Sequence, residues 1–394
     1  LESPHYGERW GQHWLDVVRF AETEGFEYDR YLPGLWRYRD YVIRSFNQDK
    51  PYDQFLREQL AGDEMVEGDE TDERNKELLI AAGFHRLGAV RRNAGNQEVA
   101  SSRNEVLTER TDIVGSAFLG LTVGCARCHD HKFDPIKHRD YYQFQAFLAA
   151  TSERDLPLGG AMTPADWRAK TKELRGKLKK MRGEIQLLEG EERRKMEQEY
   201  AKLEAELPAP PDNITTITND YENRTEIHVL NRGEFENKGE RVDMRTLGVL
   251  LPEDAEATPA GTENPRLILA NWFADPKHPL TSRVMVNRIW TFHFGKGIVN
   301  TPNDFGFMGD RPSHPELLDY LAEQLEENGW RMKSIHKTIL MSSAYRQASK
   351  NPAYFDAGME KDADNRLLWR APMRRLTAEE VRDSMLAVSG KLNP

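Results

Sequence analysis

The chain has 394 residues, of which 38% are hydrophobic and 30% are charged, so it can build packed cores and is not a largely disordered chain. The 55 Lys and Arg are outnumbered by 65 Asp and Glu, and the resulting net charge of -10 argues against a protein that coats nucleic acid, because phosphate contacts need a basic face. No uncharged apolar run approaches the roughly 18 residues of a membrane-spanning helix, so we expect no transmembrane segment. The first residue is Leu1 rather than Met, which suggests a processed or excised piece whose start carries no information about targeting.

The first part of the chain has apolar residues at helical spacing. One such stripe is formed by Trp10, Trp14, Val17 and Val18, and another by Ile113, Val114, Ala117, Phe118 and Leu121. Residues at i, i+4, i+7 and i+8 share one face of a helix, which then packs into a core. We therefore predict a helical domain over residues 1–155.

A different pattern begins at residue 166. Apolar residues are spaced alternately by four and three within two runs, and Lys, Arg and Glu fill most other positions; the apolar positions are Leu174, Leu178, Met181, Ile185 and Leu188, then Met196, Tyr200, Leu203 and Leu207. This spacing predicts an antiparallel coiled-coil hairpin over residues 166–207. The hairpin could be a solvated spacer or a docking arm for another chain.

The period changes again after a proline-rich stop at residues 208–211. Alternating Ile and Thr from residue 214 predict a small β module over residues 213–252. Helical patterns return in a C-terminal domain over residues 265–394, where Ser313 with Glu316 and Thr377 with Glu380 predict capping boxes. The predicted fold class is α+β, mainly α: a helical N-terminal domain, the hairpin, the β module and a helical C-terminal domain.

The prediction of haem depends on one pentapeptide. The only two cysteines lie in Cys125-Ala126-Arg127-Cys128-His129, the sequence motif of covalent c-type haem attachment. Two thiols three residues apart can each bond one haem vinyl group, and His129 can bind the iron as the proximal ligand. Alternatives are a dithiol redox site, a disulfide, and a zinc site that adds His131. We expect haem c with iron bound by His129, and His131 as a supporting or surface residue; the sixth ligand stays open.

A basic run lies upstream of the cysteines. It consists of Arg86, Arg91, Arg92, Arg103 and Arg110. One or two of these arginines could pair with haem propionates. A solvated helix face is the simpler explanation for most of them.

Longer motifs resemble a known family. Residues 120–135, GLTVGCARCHDHKFDP, followed by Asp140-Tyr141-Tyr142, resemble the planctomycete-type cytochrome family, in which a cytochrome-like domain of unknown function precedes a second such domain. Further matching segments are Tyr6-Gly7-Glu8-Arg9-Trp10, Asn287-Arg288-Ile289-Trp290, and Thr301-Pro302-Asn303-Asp304-Phe305-Gly306. The resemblance implies a periplasmic or otherwise exported c-type haem protein. It implies no particular substrate.

Three functions follow as hypotheses. The first is electron transfer to and from a redox partner protein. The second is a haem-dependent oxidoreductase acting on a carbohydrate-like substrate, because residues 294–311 form a long polar loop that could carry catalytic groups. Its candidate catalytic residues are Asp304, His314 and Arg288, beside Asn300, Asn303 and Asp310. Simple turn formation and helix capping would also explain Asp304 and His314. The third is a non-catalytic binding scaffold.

Overall fold

The computed structural model describes the chain except residues 26–28, 91–97, 160–161, 163, 210, 253–254, 351 and 394. Its residues fall into two compact units. The N-terminal unit comprises Glu2–Ala117 and Val123–Asp275, and the C-terminal unit comprises Leu1, Phe118–Thr122 and Pro276–Pro394. The predicted class, α+β and mainly α, is confirmed. Among the described helices, none combines the length and apolar character needed to cross a membrane.

Within the N-terminal unit, Trp14, Val18, Ile113, Val114 and Ala117 of the predicted apolar stripes are buried, and Trp10 and Val17 are half-buried. The helices of this unit are α1 (Tyr6–Val17), α2 (Trp36–Asn47), α3 (Tyr52–Ala61), α4 (Glu73–Ala81), α5 (Glu98–Val114), α6 (His138–Gln145), α7 (Pro164–Lys170), α8 (Lys172–Ile185), α9 (Gly190–Ala205) and α10 (Pro265–Phe273). Aromatic rings fill the core between α1, α2 and α3: Tyr41 and Phe55 are fully buried and stack with ring centroids 5.8 Å apart. Trp14 meets Phe55 edge to face at 5.3 Å. Such pairs add to the stabilisation that burial alone gives.

Helices α8 and α9 pack against each other over the segment predicted as a hairpin. The predicted apolar positions are its least exposed ones: Leu178 is buried, and Met181, Ile185, Tyr200 and Leu203 are half-buried. No residue of α9 is fully buried. At the base, the indole of Trp167 donates to the carbonyl of Pro208 at 2.8 Å. The two helices therefore pack against each other along one narrow apolar stripe, and their other faces are exposed.

The strands differ from the predicted β module. Strand β1 (Thr151–Pro157) pairs antiparallel with β2 (Asn213–Asn219), and β3 (His228–Leu230) pairs with β4 (Lys238–Arg241). The predicted module therefore does not form one sheet, because its first strand pairs with residues outside it. Residues 213–217 of β2 are all buried, so this strand needs a partner along its edge. Strand β1, with the polar sequence TSERDLP, pairs with that edge although its sequence has no alternating apolar residues.

The C-terminal unit is helical. Its helices are α11 (Thr281–Phe294), α12 (Pro315–Glu327), α13 (Met332–Met341), α14 (Ser343–Arg346), α15 (Phe355–Lys361) and α16 (Ala378–Val388). The Thr377 hydroxyl accepts a hydrogen bond from the backbone amide of Glu380. The Glu380 carboxylate accepts one from the backbone amide of Thr377, so this predicted capping box is confirmed. The box predicted at Ser313 is wrong: α12 begins at Pro315 after His314, and the Ser313 hydroxyl donates to the Ile298 carbonyl.

Candidate functional site

The two cysteines lie on a tight turn between α5 and α6. One turn of π-helix (Gly115–Leu119) and a 3₁₀ turn (Val123–Arg127) follow α5 directly. Val123 and Ala126 are buried and anchor the 3₁₀ turn, whereas Cys125 and Cys128 are exposed free thiols. Cys125 lies within the 3₁₀ turn and Cys128 directly follows it. Both cysteine residues are exposed.

His129 follows the second cysteine and has one ring nitrogen engaged. Its Nδ1 lies 2.6 Å from the carbonyl oxygen of Asp130 and donates a hydrogen bond to it. This bond places the ring proton on Nδ1 and leaves the lone pair on Nε2. The imidazole is exposed, and Nε2 makes no hydrogen bond within the described part of the chain. His129 thus offers Nε2 to a metal.

His131 differs from His129. Its Nδ1 accepts from the backbone amide of Asp134 at 2.9 Å and from that of Phe133 at 3.3 Å. Its side chain is only 6% exposed. That ring nitrogen holds the turn that follows the motif, as expected for a supporting residue.

Helix α6 fixes the peptide between the two cysteines. The carbonyl of Arg127 accepts from Nε2 of His138 at 2.9 Å and from the hydroxyl of Tyr142 at 2.8 Å. The carboxylate of Asp130 accepts from the amide of His138 at 2.8 Å. Sequence reasoning missed His138 and Tyr142, although their spacing of four residues on a helix places them on one face.

Glycines allow the close packing of this turn. A Cβ at Gly124 would lie 2.7 Å from a carboxylate oxygen of Asp112, whose pKa burial raises to about 6. A Cβ at Gly233, which has φ +72°, would lie 2.8 Å from Sγ of Cys128. The loop between β3 and β4 therefore packs its backbone directly against this thiol. Gly233 is a further residue that the motif alone did not indicate.

The structure bears on the alternatives to haem. The two cysteines form no disulfide with each other. Within the described part of the chain, no cluster of three or more His, Cys, Asp or Glu could hold a metal ion, so a preformed zinc site with His129 and His131 is absent. The donor set of two free thiols and one imidazole nitrogen fits covalent haem attachment, and two free thiols fit the dithiol redox site as well.

Two of the upstream arginines do not form the predicted solvated helix face. Arg86 and Arg110 are only 4% and 3% exposed. Arg86 donates to the carbonyl of Thr216 at 3.0 Å, and Arg110 donates to the carbonyl of His85 at 2.9 Å. Arg103 donates to the carbonyl of Ala149 at 3.2 Å. These three side chains are engaged inside the N-terminal unit, and Arg91 and Arg92 lie outside the described residues.

In the C-terminal unit, the candidate catalytic residues have structural contacts. Asp304 accepts from the amide of Gly306 at 3.0 Å within a turn, and Nδ1 of His314 lies 2.9 Å from the hydroxyl of Ser313. Arg288 is buried and donates to Oδ1 of Asn303 at 3.2 Å.

A cavity of about 460 Å³ in this unit is lined by Asn300, Asp310 and Ser313 of the polar loop and its flank. Asp304, His314 and Arg288 are not among its lining residues. The structure therefore brings part of the predicted polar set together and leaves the three named catalytic candidates out of the cavity.

Two family models match this chain. Residues 1–153 match PSCyt2, described as a protein of unknown function (DUF1549), and residues 265–394 match PSD1, described as a protein of unknown function (DUF1553). No curated protein and no solved structure matches. The chain therefore carries a PSCyt2 domain followed by a PSD1 domain, which is consistent with a planctomycete-type pair of domains of unknown function.

Proposed function

We propose that this chain is an exported c-type haem protein that transfers electrons, with haem c attached through Cys125 and Cys128 and with the iron bound by His129. The observation that carries the proposal is the state of these three side chains. Both thiols are free and exposed on one turn, and the ring of His129 is exposed with its Nδ1 bonded to a backbone carbonyl. When bound, the haem would supply a one-electron redox centre.

The surrounding residues would hold this attachment turn in place. Val123 and Ala126 anchor it in the core, and the bonds from His138 and Tyr142 to the Arg127 carbonyl keep the two thiols at a fixed spacing. The carbonyl of Asp130 orients the His129 ring and keeps its proton on Nδ1. Electrons would pass to a redox partner protein, and maturation of a covalent haem would take place outside the cytoplasm.

The proposal is tested by producing the chain in a host that attaches haem c in its periplasm. We expect a visible absorption spectrum of the c type and haem staining that persists on a denaturing gel. The double variant Cys125→Ser/Cys128→Ser should lose the stain. His129→Gln should shift the spectrum, whereas His5→Gln, which changes an exposed histidine of the same unit, should leave it unchanged. Equal staining of the double variant would contradict the proposal.

A second candidate function is a haem-dependent oxidoreductase acting on a carbohydrate-like substrate. The observation that favours it is the cavity of about 460 Å³ in the C-terminal unit, since pockets of roughly 300–1,000 Å³ hold small-molecule ligands. An enzyme of this kind needs an open coordination position on the iron. A low-spin ferric spectrum that added cyanide leaves unchanged would therefore contradict this candidate.

A further inference from the structure

The cavity of the C-terminal unit has a basic lining. Its volume is about 460 Å³, and it lies between the end of α11 with the loop that follows and the segment between α15 and α16. Five basic side chains line it: Lys296, Arg311, Arg366, Arg370 and Arg374. Two acidic side chains accompany them, Asp310 and Asp364. This excess of positive charge contrasts with the net charge of -10 of the whole chain. A concave surface lined mainly by one sign of charge concentrates ligands of the opposite sign.

Most of these cations have no carboxylate partner. Arg374 is held by Glu380 through two hydrogen bonds of 2.8 and 2.6 Å. In contrast, the side chains of Lys296, Arg311 and Arg366 are exposed and form neither an ion pair nor a hydrogen bond with any described residue. They remain available to a ligand.

Arg370 adds a buried donor to the cavity wall. Its guanidinium lies over the ring of Trp369, 5.1 Å from the centroid, and its Nε is buried without an acceptor among the described residues. A buried donor without an acceptor is unfavourable. The amide of Asn365 holds the backbone at Arg370 through bonds of 2.8 and 3.2 Å, so this wall is fixed in shape.

The rest of the lining would suit the body of the ligand. Trp290 and Phe294 stack with ring centroids 4.1 Å apart and form an aromatic part of the wall. Asn300 and Ser313 bring amide and hydroxyl groups to the same space. A sugar ring has both apolar C–H faces and hydroxyl groups, so it can use an aromatic wall and neutral polar groups together.

We propose that this cavity binds an anionic saccharide unit, a sugar ring that bears a carboxylate, sulfate or phosphate group. Arg311 and Arg366 bind the oxyanion through the paired charge-assisted hydrogen bonds that guanidinium groups form, and the ammonium of Lys296 adds a further positive charge. The aromatic wall receives the ring. Haem plays no part in this inference.

The test is calorimetric titration of the full chain with glucuronate, glucose 6-sulfate, glucose 6-phosphate, neutral glucose and inorganic sulfate. We expect at least one charged sugar to bind at least tenfold more tightly than glucose and than inorganic sulfate. The ranking of the three charged sugars identifies the oxyanion. The double variant Arg311→Gln/Arg366→Gln should weaken that binding at least tenfold, because both arginines line the cavity.

A matched control is Arg346→Gln/Arg375→Gln, which removes the same charge from two exposed arginines of this unit outside the cavity lining. The affinity of this control variant for the charged sugar should stay within twofold of that of the original chain. Equal loss in the control, equal binding of glucose, or no binding of any charged sugar at millimolar concentration would overturn the inference. Cys125→Ser/Cys128→Ser should bind the sugar normally, so failure of the haem proposal is distinguishable from failure of this one.

Discussion

Replacing Arg266 by Met is expected to destabilise the N-terminal unit by about 3–5 kcal/mol. Arg266 lies in α10 and is fully buried. Its guanidinium donates to the two carboxylate oxygens of Asp63 at 2.6 and 2.7 Å and lies 3.2 Å from Glu64. It also donates to the carbonyl of Leu60 at 3.1 Å and to Oδ1 of Asn219 at 3.0 Å. This side chain therefore joins α10 to α3, to the turn after α3, and to β2.

The magnitude follows from the burial of its partners. The side chains of Asp63 and Glu64 are 5% and 1% exposed, so the substitution leaves two carboxylates in the interior without their cation. Removing one partner of a buried ion pair typically costs about 3–5 kcal/mol for that reason. Burial already raises the pKa of Glu64, and without the opposing charge of Arg266 the pKa of Glu64 should rise further.

Urea denaturation followed by circular dichroism measures this change. Arg57→Met is the matched control: Arg57 lies in α3, binds Asp53 at 2.6 Å, and also reaches Asn271 of α10, but its pair is partly exposed. The control should lose about 1 kcal/mol or less. Because raised carboxyl pKa values favour proton uptake in the folded state, Arg266→Met should regain stability as the pH falls from 7 to 5. A loss below about 1 kcal/mol at pH 7, or no recovery at pH 5, would refute this reasoning.

Three further predictions concern other parts of the chain. Gly233→Ala should lower the free energy of unfolding by about 1–2 kcal/mol because of the positive φ at this position, and it should reduce haem attachment because the new Cβ meets Cys128. Gly159 has a similar φ but open space around it, so Gly159→Ala should lower stability without affecting haem attachment. Burial lowers the pKa of His336 to about 3, so this imidazole is protonated at a lower pH in the folded state than in the unfolded chain. His336 should therefore contribute a stability loss of about 2 kcal/mol between pH 6.5 and 5, and a His336→Gln variant that keeps the full slope would contradict this origin. Replacing residues 172–205 by a short Gly-Ser linker should change the unfolding free energy by less than about 1 kcal/mol, since only Leu178 is buried in α8 and α9. If this deletion abolishes binding to a redox partner, the hairpin is a docking arm.

Helix periodicity made much of the fold predictable. Trp14 and Phe118 are buried as expected, although Trp10 and Val17 of the first stripe are half-buried. The four-three spacing from Leu174 to Leu207 marks the least exposed positions of α8 and α9. Strand β1 was not predictable in the same way, because its polar sequence becomes a strand only through pairing with buried β2. Tertiary context overrides local pattern in such a case.

The site was predictable only where its residues are contiguous. The pentapeptide indicates Cys125, Cys128 and His129 directly, but Gly233 approaches the thiol from a distant loop, which no local pattern reveals. The same holds for the basic cavity, because Arg311 and Arg366 come from segments more than 50 residues apart. For the arginine run upstream of the motif, the prediction failed for a different reason. Charged residues are usually exposed, but the fold buries Arg86 and Arg110.

The mass of the denatured, intact chain tests the proposed attachment most directly. After production with a periplasmic haem c maturation system, we expect a chain whose mass is greater by that of one haem, with neither cysteine open to an alkylating reagent. A chain of unmodified mass that takes up two alkyl groups would contradict it.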